Sequence, residues 1–134
     1  MSVHEVASAG TSIWLDDLSR AKITGADAHS LPSRIANSGV VGVTTNPSIF
    51  SNAISGAAEY SADIAAMKGA TVDDLVKKLT TDDVRQACDL FAPIFSSSKG
   101  FDGRVSIEVD PRLARDTDGT IAAGKELWAI VDRP

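Results

Sequence analysis

The sequence predicts an α/β fold built on a parallel sheet. Three short β-rich runs lie at residues 11–17, 39–45 and 104–111, far apart along the chain. The segments between them carry apolar residues at helical spacing, and parallel strands need crossovers of that kind. No repeat or low-complexity tract interrupts this order.

The elements follow in sequence. TSIWLDD, residues 11–17, is the first strand. Ser30-Leu31-Pro32 predicts a helix start, with Ser as cap and Pro in the first turn, and Gly39 predicts its end. GVVGVTT, residues 39–45, is apolar and β-branched enough for a strand buried on both faces. Asn46-Pro47 should end it, because proline cannot donate to a ladder. Ile54, Tyr60, Ile64 and Met67 recur at rough helical spacing until Gly69. Thr71 to Asp74 reads as a helix start in capping-box style, with Leu75, Val76 and Leu79 as its apolar face. Thr80 and Asp83 read as the start of another helix, with Val84, Ala87, Cys88 and Phe91 on one face and Pro93 helping to end it. Residues 96–100 are expected to form a surface loop. RVSIEVDP, residues 104–111, alternates: Val105, Ile107 and Val109 share one face, Ser106 and Glu108 the other. Asp118 and Thr120 offer caps for a final helix with a stripe of Ile121, Gly124, Leu127, Trp128 and Val131.

Composition excludes several function classes. An apolar fraction of 43% with 23% charged residues is that of a globular chain. A net charge of −5 without a Lys/Arg cluster argues against nucleic-acid binding. No apolar run approaches the roughly 18 residues a membrane span needs, and no signal peptide is evident. The single cysteine, Cys88, suits a reducing compartment, so a cytoplasmic location is expected. His4 and His29 have no second ligand at suitable spacing, so no metal site is expected.

α/β proteins place their chemistry at the C-terminal ends of parallel strands. Here those ends carry Asp16-Asp17, then Thr44-Thr45-Asn46, then Glu108 and Asp110. Converging carboxylates and an amide suit acid–base work and hydroxyl recognition. Plainer readings stand beside this one. An Asp at a strand end also caps the next helix, Asn before Pro is a common turn former, and Glu108 could face solvent from an edge strand. Cys88, Trp14 and Trp128 read as packing residues. All six lysines (Lys22, Lys68, Lys77, Lys78, Lys99 and Lys125) fall in predicted helices or loops. None has the apolar strand context that prepares a lysine for Schiff-base chemistry.

SIWLDDLSR, GVTTNPSIF and VSIEVDPRLA resemble three successive blocks of the transaldolase family, class I aldolases on a (β/α)8 TIM barrel. The wording of the first block and of AGKELWAIVDRP is most similar to the longer bacterial branch often found in actinobacteria. The resemblance covers the chain from about Thr11 to Pro134. It implies transfer of a dihydroxyacetone unit from sedoheptulose 7-phosphate to glyceraldehyde 3-phosphate, a pentose phosphate pathway reaction that uses a lysine imine. It implies phosphorylated sugars as substrates and neither metal nor organic cofactor. By the same resemblance Asp16, rather than Asp17, is the first-strand proton-transfer residue, and Asn46 binds substrate hydroxyls with Thr44 beside it. Glu108 relays protons through a water.

In the family, a turn resembling Asp132-Arg133-Pro134 leads into a fourth strand that bears the lysine. Residues 1–134 are therefore expected to be the first three βα units of an incomplete barrel, with a flexible segment at 1–10, and inactive alone. Three strands cannot close a barrel, so open edges should leave the chain marginally stable or self-associating. Two alternatives remain: a non-catalytic half-barrel that binds a partner or oligomerises, and the first part of a transaldolase fused to a sugar-phosphate isomerase. A flavodoxin-like sheet would give no reason for Glu108 and Asn46 together.

Overall fold

Each β-rich run forms a strand, and the three lie side by side in one parallel sheet of order β1-β2-β3. The computed structural model describes residues 2–134. The strands are β1 (Ile13–Asp16), β2 (Val40–Thr44) and β3 (Arg104–Val105). The α-helices are α1 (Val3–Ser8), α2 (Arg20–Thr24), α3 (Leu31–Ser38), α4 (Pro47–Ile54), α5 (Ser61–Ala66), α6 (Val72–Ser97) and α7 (Thr117–Val131). Short 3-10 turns occupy Ala58–Tyr60 and Pro111–Leu113. Among the described residues no helix is long and apolar enough to cross a membrane.

The expected helix at Ser30 forms as predicted. Ser30 Oγ accepts from Ser33 N, Pro32 lies in the first turn, and Gly39 closes the helix at φ +66°. That left-handed conformation suits glycine. Residues 1–10 contain α1, an element the sequence reading did not place, capped by Ser2 and touching α3 through a 3.1 Å contact from His4 Nε2 to Asn37 O. The short α2, capped by Ser19, was not foreseen either.

Four local expectations are corrected. The two helices expected from Thr71 and Thr80 are one 26-residue helix, α6. Thr80 and Thr81 return their hydroxyls to the Lys77 carbonyl instead of capping, and Asp83 turns inward. Pro93 sits inside α6 rather than ending it, because packing of buried Phe91 and half-buried Ile94 on the core carries the helix past the one missing N–H. The third strand pairs only over Arg104–Val105. One residue beyond Val43, the partner of Val105, β2 ends and the chain turns into α4, so residues 107–110 have no ladder partner. Hydroxyls take over there: Thr45 N donates to Ser106 Oγ (3.1 Å) and Thr45 Oγ1 to Ser106 O (2.8 Å). Finally, α7 is capped by Asp116, whose carboxylate accepts from Gly119 N at 2.9 Å, and not by Asp118 or Thr120.

The core lies between the sheet and α6, with Leu18, Leu31, Val43, Val84, Ala87 and Phe91 at its centre. Of the stripe expected on α7, Leu127 and Val131 are buried, while Ile121 and Trp128 are exposed. Trp128 is thus not a packing residue within these elements. Trp14 lies across Gly42, where a Cβ would meet its ring at 2.5 Å, so only glycine lets the indole lie flat on the sheet.

One buried polar network ties the helices together. Asp83 on α6 is fully buried and accepts from Tyr60 Oη (2.6 Å) and Arg20 Nε (3.0 Å). Arg20 N donates to Tyr60 Oη (2.9 Å), and the Arg20 guanidinium lies over the Tyr60 ring while pairing also with Asp63. Burial, then the bond to Asp83, raises the Tyr60 pKa far above the ordinary tyrosine value. A raised folded-state pKa stabilises the fold fully below the unfolded value, about 10, and loses that contribution as pH climbs beyond it. Stability should therefore fall above about pH 10, with a slope approaching 1.4 kcal/mol per pH unit from this group, and Tyr60→Phe should remove that part. Tyr60 is the only tyrosine, so phenolate absorbance reports on it alone. It is expected to appear together with unfolding; an ordinary tyrosine titration in the folded chain would contradict the assignment.

Candidate functional site

Cross-strand partners in a parallel ladder present their side chains to the same side. The register Trp14↔Gly42↔Arg104 makes one row, and Asp16↔Thr44 lies one step nearer the strand ends. Ile13 and Leu15 pack into the helix-side core, so Trp14 and Asp16 face away from it. This face opposite the helices carries the polar strand ends.

The structure brings Asp16 and Thr44 together directly. Thr44 Oγ1 donates to Asp16 Oδ1 at 2.7 Å, fixing one carboxylate oxygen of an exposed residue. Asp17 goes the other way. It pairs with Lys22 and lines a cavity with His29 and Arg34 on the helix side of β1. Of the two neighbouring carboxylates, Asp16 is thus the one that shares a face with Thr44.

Asn46 serves as the N-cap of α4. Its Oδ1 accepts from Ile49 N at 2.9 Å, which is the turn-forming role, and its amide nitrogen has no partner among the described residues. Glu108 is exposed in the extended segment beyond β3 and makes no hydrogen bond or ion pair among the described residues. By alternation from Val105 it shares the side of Ser106. Asp110 is occupied: it caps the turn at Pro111–Leu113 and pairs with Arg112, which holds its carboxyl below the usual range.

No lysine lies on a strand. Lys77 pairs with Glu126 and Lys78 with Asp82, both exposed on α6. Lys22 departs from the sequence reading. Burial, and then the field of Arg34, lowers its pKa, although it sits on α2 rather than on a strand.

Sequence reasoning missed the Arg20–Tyr60–Asp83 network. Its signal was present: Leu79, Asp83, Ala87 and Phe91 form one i, i+4 row, so the carboxylate lies in line with core residues. Arg20 stands four residues beyond Asp16, so the network clamps the turn by which the chain leaves β1.

A groove of about 420 Å³ runs along the free edge of β3, lined by Val105, Ile107, Val109, Leu127 and Trp128. Its lining is mainly apolar, with Arg104, Ser106 and Arg133 in it, and it extends to Trp14, which shares the sheet face of Asp16.

Comparison with known proteins bears on these residues. The family model described as transaldolase/fructose-6-phosphate aldolase matches residues 13–134. The transaldolase of Mycolicibacterium smegmatis is 55% identical over 131 residues, that of Mycobacterium ulcerans 54%, and that of Mycobacterium tuberculosis H37Rv 53%. Each alignment covers 96% of this chain and 34% of the relative, so the chain spans about a third of the length of these relatives. The match extends over β1, β2, β3 and the helices between them, and on it the chain belongs to the transaldolase/fructose-6-phosphate aldolase family.

Proposed function

We propose that these residues form the first part of a transaldolase that moves a dihydroxyacetone unit between phosphorylated sugars through a lysine imine. The observation that carries this reading is the Asp16–Thr44 pair on the sheet face turned away from the helices. Asp16 is the general acid–base group for carbon–carbon cleavage, held by the Thr44 hydroxyl so that its second oxygen meets the substrate. Asn46 offers its amide nitrogen to a substrate hydroxyl while its oxygen fixes the start of α4. The cap holds that amide in place, so the helix-capping and recognition roles are compatible. Glu108 passes protons through a water to and from the oxygen and nitrogen at the imine-forming carbon. No group other than the lysine is needed for the covalent step, and neither metal nor organic cofactor enters this scheme.

The lysine comes from sequence outside these 134 residues, because none of the six present stands on the Asp16 face of the sheet. The isolated chain is therefore expected to form no imine. The check is incubation with fructose 6-phosphate, borohydride reduction and intact mass. A reduced adduct on any of the six lysines would sink the reading, Lys22 being the one to inspect first because its pKa is lowered. The outer edges of β1 and β3 and the apolar groove beside β3 are the surfaces through which the chain would self-associate when alone.

A further inference from the structure

On the helix side of β1, away from Asp16, lies a cavity of about 170 Å³ lined by Leu15, Asp17, Lys22, His29 and Arg34. We propose that this cavity binds a small phosphate-class oxyanion. Its polar groups come from separate parts of the chain: Asp17 after β1, Lys22 on α2, His29 before α3 and Arg34 on α3. Lys22 pairs with the one lining carboxylate, Asp17, which leaves Arg34 as the unbalanced charge, so the lining is positive in a chain of net charge −5. Asp27, the other carboxylate close in sequence, is engaged with the backbone N–H of His29 at 2.6 Å.

The donor geometry favours an anion. Arg34 Nε is buried and has no acceptor, the only such side-chain atom among the described residues. A buried guanidinium N–H left unmatched is costly, so an acceptor there is strongly favoured. Arg34 Nη2 contacts His29 Nδ1 at 3.2 Å. A guanidinium has no acceptor, so Nδ1 must accept, which places the imidazole proton on Nε2 and makes that atom a donor. Arg34 thus spends one of its five N–H donors on His29 and keeps the others, Nε–H among them, for a further acceptor. Single N–H groups from Arg34, Lys22 and His29 suit an anion with three outward oxygens. Burial first, and then the nearby charge of Arg34, lowers the Lys22 pKa, so the two cations sense one another across the cavity. The start of α3 is not part of the site, since Ser30 caps it.

The test needs no enzymatic activity, so its outcome is independent of the transaldolase reading. The 15N-labelled chain is titrated at constant ionic strength with inorganic phosphate, glycerol 3-phosphate or acetate. Saturable movement of the Arg34 Nε–H and His29 ring signals is expected with the first two, while His4 stays unmoved. The tighter of the two then identifies the source as free phosphate or a phosphomonoester. Arg34→Gln and His29→Asn should each weaken binding at least tenfold, and the second serves if the first fails to fold. Non-saturating drift, an equal response to acetate, or unchanged affinity in a folded variant would overturn the site.

Discussion

Asp83→Ala is expected to destabilise the chain by about 3–5 kcal/mol, the usual cost of removing one partner from a buried ion pair. The size follows from what is left behind. Asp83 is fully buried, and its loss strands the Tyr60 hydroxyl and part of the Arg20 guanidinium in a region closed to water. Burial already pushes the Asp83 carboxyl above the usual range, against the opposing pull of Tyr60 and Arg20, so the site tolerates little further loss of pairing. Domains have total stabilities of about 5–15 kcal/mol, so at the lower end of that range the variant would lie near its unfolding midpoint. Urea denaturation followed by circular dichroism measures it. A combined Arg20→Met, Tyr60→Phe, Asp83→Leu variant should recover most of the loss, because replacing the whole group removes the stranded charges. A loss below about 1 kcal/mol for Asp83→Ala would mean the network is better hydrated than its burial implies.

The second large effect concerns the carboxylates assigned to proton transfer. Residues 13–134 can be grafted in place of the matching third of the Mycolicibacterium smegmatis transaldolase, with which the chain is 55% identical. In that chimera Asp16→Asn and Glu108→Gln are each expected to lower kcat by about 10²–10⁴, the range for loss of a general acid–base group. KM should change much less, since neither residue is assigned to ground-state binding. Thr44→Val should act in the same direction as Asp16→Asn but more weakly, because it frees the carboxylate without removing it. Asp17→Asn should leave kcat near that of the parent chimera, because Asp17 faces Lys22 on the other side of β1.

Much of this was legible in the sequence, and the reasons differ by element. The β-branched run at residues 39–45 and the Ser30 cap each carry strong local signals, and both form where expected. The same is not true of α6. Thr80 and Asp83 have the chemistry of a helix start, yet a hydroxyl that returns to its own helix and a carboxylate drawn to Arg20 leave the helix unbroken. That choice depends on a partner more than 60 residues away, which local patterning cannot report. The third strand was overextended for a related reason: alternation continues to Val109, but pairing stops where β2 turns away. At the site, the residue types and strand ends could be read directly. Which of Asp16 and Asp17 shares the face of Thr44 is not carried by local pattern, since two adjacent carboxylates differ only in the side of the strand they take; the bond from Thr44 Oγ1 puts Asp16 on that face.

The central claim is that these residues supply the acid–base and recognition part of an imine-forming site whose nucleophile lies elsewhere. Borohydride trapping of the chimera with fructose 6-phosphate, read by peptide mass mapping, tests this most directly. The reduced three-carbon adduct is predicted on a lysine contributed by the relative, with Lys22, Lys68, Lys77, Lys78, Lys99 and Lys125 all unmodified. An adduct on one of those six, or a chimera that melts cooperatively and traps no adduct at all, would contradict it.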